Sequence, residues 1–277
     1  ARLTADTQGV DAAIALVRSW SEEHPRHLPL VQLLIEWLRE DCRNEAADCL
    51  RRLLEMNPQN QWAWRELALE LARQGRFDEA LAAAESTLGL SMDCAPNQGI
   101  HGECLLLAGQ VDAAREAFRR AVVLDVDYTL GMRGLLRCAQ TPARKCQELD
   151  FLQAELERQV VCGDSVLAFR DIAYPLVAPE TLCERLAEAN RVRPDLWQTW
   201  YVLIEQLVDT GDLARAMQVT AAMAARFPFH ARLKVLQADV LGRSGDLDAM
   251  ERTLREAFGV ITALHGVLRE TFRLNMG

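Results

Sequence analysis

The stretch from Gln61 to Asp93 reads QWAWRELALELARQGRFDEALAAAESTLGLSMD, and its spacing recurs through the chain. Four glycines set the count: Gly75, Gly109, Gly211 and Gly245. The first two and the last two are 34 residues apart, and the middle gap of 102 residues is three times 34. Alanines keep the same count: Ala46, Ala80, Ala114 and Ala216. A fixed period of this length is typical of stacked helix-pair repeats, whereas an unrelated helical bundle has no reason to keep it.

The unit that begins at Gln61 resembles the tetratricopeptide repeat, whose pattern is W-x2-L-G-x2-Y, then A-x3-F, then P. Its residues at the pattern positions are Trp64, Leu67, Ala68, Leu71, Gly75, Ala80 and Ala84. The resemblance implies an all-α fold, namely a right-handed α-solenoid of stacked antiparallel helix pairs with a 34-residue period. In each pair the small residues let the two backbones approach, and we expect the glycine to end the first helix in the left-handed conformation.

The 34-residue count divides the chain into seven units, with a partial repeat before them and a cap after them. The units are 27–60, 61–94, 95–128, 129–162, 163–196, 197–230 and 231–264. Residues 1–26 fit the second helix of a preceding unit. Residues 265–277 are predicted to form a C-terminal capping helix that begins near residue 260. Its apolar residues share one helical face in the pattern: Ile261, Leu264, Leu268 and Phe272.

Two of the units, 129–162 and 163–196, are degenerate. They carry Ala143 and Val177 where the other units have the turn glycine. The second contains RDIAYPLVAPETL, residues 170–182, whose two prolines suggest a break. Since proline is tolerated at the first helical position, Pro179 fits the start of a second helix, and the stretch is then a turn between helices. A domain linker or hinge is the alternative.

Composition limits the classes of function. A formal net charge of −9 disfavours a binder of nucleic acid, because such proteins neutralise phosphates with an excess of Lys and Arg. No apolar run is long enough to span a membrane. The eight cysteines include no CxxC pair, so we interpret them as small buried residues of a reducing, cytoplasmic protein without metal or cofactor. Only two of the 31 basic residues are lysines, a bias of bacterial style.

In the tetratricopeptide family the first helices line a concave groove that holds a peptide or a partner protein, and the resemblance implies the same here. The family's groove positions correspond to the following residues of this chain: Trp62, Arg65, Leu69, Arg73, Arg133, Arg137, Asp164, Asp171, Tyr174, Tyr201, Glu205, Asp209, Arg232, Asp239 and Arg243. The charges are basic toward the N-terminal half and acidic, then mixed, toward the C-terminal half. Such segregation orients a partner, although an ordinary solvated surface is the alternative.

The helix expected from Leu28 to Glu40 is apolar on nearly every side. Leu28, Val31, Ile35 and Leu38 add bulk to the face that should meet water. Because such a helix is usually buried, we expect something to cover it. The candidates are residues upstream of Ala1, a second copy of the chain, or the partner.

The sequence contains no motif that predicts an enzyme. It lacks a Gly-rich phosphate loop, a GxSxG and a zinc-ligand spacing, and its turn aspartates fit helix caps. The chain lacks an initiator Met, so upstream residues are an open question. The favoured function is a protein-interaction scaffold or adaptor. The alternative is a regulatory or substrate-recruiting segment of a larger multidomain enzyme, such as a glycosyltransferase or a protease, and a helical-repeat RNA binder is a third.

Overall fold

The computed structural model describes residues 9–24, 27–41, 43–159 and 162–274, and every regular element in these ranges is an α-helix. The predicted all-α fold is therefore confirmed. The chain divides into two compact units, Ala1–Gln140 and Thr141–Gly277. Within each unit, every helix packs against the next one along the chain. Alternate helices also touch, from α4 to α8 in unit 1 and from α9 to α14 in unit 2, which is the packing order of a solenoid.

Unit 1 contains eight of the described helices. They are α1 Val10–Glu23, α2 Leu28–Asp41, α3 Arg43–Met56, α4 Gln61–Arg73, α5 Phe77–Leu90, α6 Ala95–Leu107, α7 Val111–Leu124 and α8 Thr129–Cys138. Unit 2 contains seven. They are α9 Pro142–Arg158, α10 Asp164–Ala173, α11 Pro179–Val192, α12 Trp197–Asp209, α13 Leu213–Arg226, α14 Ala231–Arg243 and α15 Leu247–Leu274. Even-numbered helices are the first helices of the repeats, and odd-numbered helices are the second helices.

The four glycines that set the repeat all have positive φ, between 76° and 90°. At Gly75 the next residue, Arg76, donates its backbone N–H to the carbonyl of Leu71 at 2.9 Å, the bond of a Schellman helix end. Gly109, Gly211 and Gly245 are followed by the same bond, at 2.9 to 3.0 Å. The side chains of Asp212 and Asp246 then accept backbone N–H groups of the following helix, at 3.1 and 3.0 Å. The expected glycine turns and aspartate caps are thus present.

The proline-containing stretch lies inside unit 2 and forms a turn between two helices. Helix α10 ends at Ala173, Pro175 lies in the turn, and Pro179 is the first residue of α11. Leu182, one turn into α11, is fully buried. The division between the two units falls earlier, between Gln140 and Thr141.

The unit from Thr129 departs from the predicted register. The count places Ala143 at the turn, but α8 ends at Cys138 and α9 already begins at Pro142. The side chain of Thr141 accepts the backbone N–H of Arg144 at 3.3 Å, which makes Thr141 the N-cap. A threonine cap followed by proline at the first helical position is a strong helix start, and it prevails over the repeat count.

The predicted separate capping helix at residues 265–277 is wrong. Helix α15 runs without interruption from Leu247 to Leu274, so the second helix of the last unit continues through the expected boundary. Gly259 lies within it, since a single glycine weakens a helix by only about 1 kcal/mol and does not end it. Ile261, Leu264, Leu268 and Phe272 fall outside the residues whose side chains the structure describes.

The apolar face of α2 is covered by the chain itself. Val31, Ile35 and Leu38 are almost completely buried, and Leu28 is half-buried against the same cluster. Ile14 and Val17 of α1 belong to this cluster, and α1 packs on α2. The expectation that a separate segment, a second copy or the partner must cover this face therefore loses its basis.

Candidate functional site

The predicted groove residues of unit 1 lie on α4 and α8. Trp62 and Leu69 are half-buried, and Arg73 is exposed, with an ion pair to Glu70 of the same helix at 2.8 Å. Arg65 donates from Nη1 to Oδ1 of the buried Asn97 at 3.0 Å. The Asn97 amide in turn donates to the carbonyl of Ser91 at 2.8 Å. Arg65 is therefore fixed to the neighbouring first helix, α6.

The two arginines of α8 differ in their surroundings. Arg137 pairs with Glu103 of α6 at 2.7 Å, and these two residues are 34 positions apart, so the pair joins equivalent positions of adjacent repeats. Arg133 is exposed and makes no ion pair within the described residues. The groove charges of unit 1 are thus largely neutralised inside the unit, and the predicted segregation of signs is weaker than the sequence suggested.

In unit 2 the ion pairs centre on Arg170 of α10, which is mostly buried. Its Nη2 donates to Asp209 at 2.5 Å, and its Nη1 lies 3.3 Å from Glu205, both on α12. Its guanidinium also lies over the ring of Tyr174, 5.7 Å from the centroid. Two carboxylates and a ring therefore hold one cation, a set that joins two first helices.

A second cation, Arg232 of α14, lies over two aromatic rings of α12. Its Cζ is 4.5 Å from the centroid of Tyr201 and 5.3 Å from that of Trp197. Burial and a hydrogen bond with Glu205 raise the pKa of Tyr201, and Arg232 opposes this. Tyr201 therefore links the two groups of contacts, because Glu205 also faces Arg170. On the same helix as Arg232, Asp239 pairs with Arg243 at 2.8 Å.

His230 completes this set of contacts at the start of α14. Its ring lies 4.7 Å from that of Trp197, and its Nδ1 accepts the backbone N–H of Leu233 at 3.3 Å, which caps the helix. Burial lowers its pKa, so the neutral imidazole that the cap requires is favoured. We call the whole set the arginine–aromatic cluster, and it consists of Arg170, Tyr174, Trp197, Tyr201, Glu205, Asp209, His230 and Arg232.

The structure brings together five of the predicted groove residues in this cluster: Tyr174, Tyr201, Glu205, Asp209 and Arg232. Asp171 is exposed beside Arg170 on α10. The prediction missed Arg170, Trp197 and His230, since they lie outside the positions carried over from the family. A signal for Trp197 and His230 was present, because aromatic residues at the start of one unit and the end of the same unit meet in neighbouring repeats.

Comparison with known proteins agrees with the helix-pair architecture. Residues 43–97 match the family model of the tetratricopeptide repeat. The chain is a tetratricopeptide repeat protein. DnaJ homolog subfamily C member 7 of Homo sapiens is 27% identical to it over 158 residues, which are 55% of this chain and 32% of that relative. The same protein of Mus musculus is 29% identical over 158 residues. The chain thus covers about a third of the length of these curated relatives.

Two solved structures also align with this repeat protein. A double mutant of MamA aligns with a TM-score of 0.45 and 13% identity, over 56% of this chain and 89% of that chain. YrrB, described as a tetratricopeptide repeat protein with an unusual peptide-binding site, aligns with a TM-score of 0.33 and 16% identity, over 79% of this chain and 98% of that one.

Metal-binding and membrane-spanning features are absent from the part of this repeat protein that the structure describes. In those ranges, no three His, Cys, Asp or Glu residues are grouped so that they could hold a metal ion. No helix there is both long and apolar enough to cross a bilayer. The seven described cysteines are free, and burial raises the pKa of Cys104 to about 12, which makes its thiol a poor nucleophile at neutral pH.

Proposed function

We propose that this repeat protein is an interaction scaffold, and that it binds a partner protein or peptide along its first helices. The arginine–aromatic cluster is the main contact in unit 2. The observation that carries this proposal is the composition of the cluster, in which two arginines, a tryptophan and two tyrosines meet across α10, α12 and α14. Trp, Tyr and Arg are the residue types that dominate binding energy at protein interfaces.

The order of these side chains in the free protein supports the proposal. Arg170 is fixed by Asp209 and Glu205, and Arg232 by the rings of Tyr201 and Trp197. A side chain that is already ordered loses little conformational entropy when a partner binds. Tyr174 remains more than half exposed, so a partner can still reach its ring.

Unit 1 offers a smaller contact of the same kind. Arg137, Arg73 and Arg65 already have partners within the unit, and Arg133 stays exposed. Leu130, one turn before Arg133, is also exposed on α8. An exposed leucine beside an uncompensated arginine fits an apolar residue and a carboxylate of the partner.

The experiment that tests the cluster is affinity capture from the native source, followed by mass spectrometry. The variant Arg232→Glu removes the cation from the two rings and reverses its charge. The matched control is Arg191→Glu on the second helix α11, which is also exposed and outside the cluster. We expect proteins that are captured by the wild type and the control to be lost with Arg232→Glu. Equal capture by all three would contradict the proposal.

A further inference from the structure

Helix α15 exposes an apolar face at a position that the rest of the chain buries. Leu254 is 41% exposed, Leu247 is 61% exposed and Phe258 is 68% exposed. The 34-residue count gives Leu254 six equivalents on the other second helices, and all are at most 3% exposed. They are Leu50, Ala84, Phe118, Leu152, Leu186 and Thr220. Exposure of Leu254 is therefore an exception to the repeat.

The equivalent residue Phe118 shows what normally covers this position. Its ring packs against Gly134 of α8, the first helix of the following repeat, so closely that a Cβ there would come within 2.3 Å. On α15 no such helix follows within the described residues. Three large apolar side chains on one face of a helix, at spacings of seven and four residues, form a surface suited to another helix.

The sequence indicates that the covering helix is long. The seven-residue spacing of Leu247 and Leu254 continues at Ile261 and Leu268, so the apolar spacing extends over 22 residues. A heptad spacing of this kind is typical of paired helices. The first helices of this chain have only 10 to 14 residues, so the first helix of a further repeat would cover about half of the spacing. Helix α15 itself has 28 residues.

The charges at the two ends of α15 favour pairing with itself in an antiparallel orientation. Asp248 and Glu251 lie in its first turns, whereas Arg269 and Arg273 lie near its end in the sequence. When two copies run antiparallel, each acidic end lies beside the basic end of the other copy, and the twofold symmetry repeats this contact. The helix dipoles add to the attraction. A parallel pair would bring like charges together.

We propose that α15 pairs antiparallel with α15 of a second copy, and that Leu247, Leu254 and Phe258 form the N-terminal half of each side of the interface. This surface is separate from the first helices, so a dimer would present two arginine–aromatic clusters to a partner. Two linked sites raise the apparent affinity for a partner that carries two copies of the recognised segment.

The test is sedimentation velocity of the full chain across a dilution series. We expect a dimer that dissociates on dilution, and a monomer for Phe258→Glu and for Leu254→Glu at concentrations where the wild type is dimeric. Phe229→Glu is the matched control, since Phe229 is 80% exposed but lies in the turn before α14. Circular dichroism checks that all the variants keep their helix content.

A charge exchange tests the orientation. Asp248→Arg alone is expected to weaken the dimer at least several-fold, and adding Arg273→Asp is expected to restore it. A wild type that is monomeric at every concentration would overturn the proposal, and would leave the face to a further repeat or to a different protein. A dimer that survives both glutamate variants, or one that Asp248→Arg leaves unchanged, would overturn it as well.

Discussion

At the scale of single residues, Phe118 sets the distance between neighbouring repeats. Its ring lies between Gly102 of α6 and Gly134 of α8 and is almost fully buried. A Cβ at Gly134 would lie 2.3 Å from the ring, and one at Gly102 would lie 3.0 Å from it. Both glycines are helical, so they serve here to provide space for the ring rather than to permit a left-handed backbone.

Gly134→Ala is therefore expected to destabilise the protein. Forcing a methyl group against a packed ring typically costs about 1–3 kcal/mol. Gly89→Ala is the matched control, because Gly89 also lies in a helix of unit 1, and a methyl group there would meet no heavy atom within 4 Å. It should be neutral or stabilising by up to about 1 kcal/mol, since alanine favours the helix. Urea denaturation followed by circular dichroism measures both, and equal midpoints would contradict the packing argument.

The arginine–aromatic cluster shows how far the sequence could predict a site. Tyr201 and Arg232 were found because they occupy family groove positions, which repeat every 34 residues. Arg170 was missed because its role depends on Asp209 and Glu205 of the next repeat, 39 and 35 residues away. A register assigns a residue to a helical face, but a long side chain can reach past its own position to any suitable charge nearby.

At the scale of helices, the repeat count predicted most boundaries and failed where local signals were stronger. Pro179 begins α11 as the count required, and the four glycine turns lie where expected. Helix α9 begins at Pro142 instead, because Thr141 and Pro142 form a helix start three residues ahead of the count. Helix α15 continues past its expected end because its sequence contains no proline and only isolated glycines to stop it.

Thr141→Ala tests whether this cap sets the start of α9. The Thr141 side chain accepts the N–H of Arg144, and its loss should cost about 1 kcal/mol. Thr141→Asp is the control, because aspartate keeps an acceptor at the N-cap and favours the positive end of the helix dipole. Thermal melting of the full chain should therefore rank alanine below both the wild type and aspartate. An alanine variant as stable as the wild type would show that Pro142 alone is sufficient.

At the scale of the whole molecule, the chain consists of two compact units that are each built from local contacts. This locality explains why the fold could be predicted from sequence, since each repeat contacts mainly its neighbours and the spacing of small residues records those contacts. It also explains what the sequence did not show. The cover over α2 comes from α1, which belongs to a partial repeat, and the open face of α15 appears only when burial is compared between repeats.

The same locality predicts that a destabilised repeat opens without its distant neighbours. Stability in a stack of repeats is a sum of local terms, so Gly134→Ala should act mainly on the helices around Phe118. Hydrogen exchange of the full chain followed by mass spectrometry measures this segment by segment. We expect faster exchange in α6, α7 and α8 of the variant, with α12 and α13 unchanged. Gly89→Ala should leave both regions as protected as in the wild type. Equal acceleration in the two units would mean that the chain opens as one cooperative block, and the division at Gln140 would then have no energetic meaning.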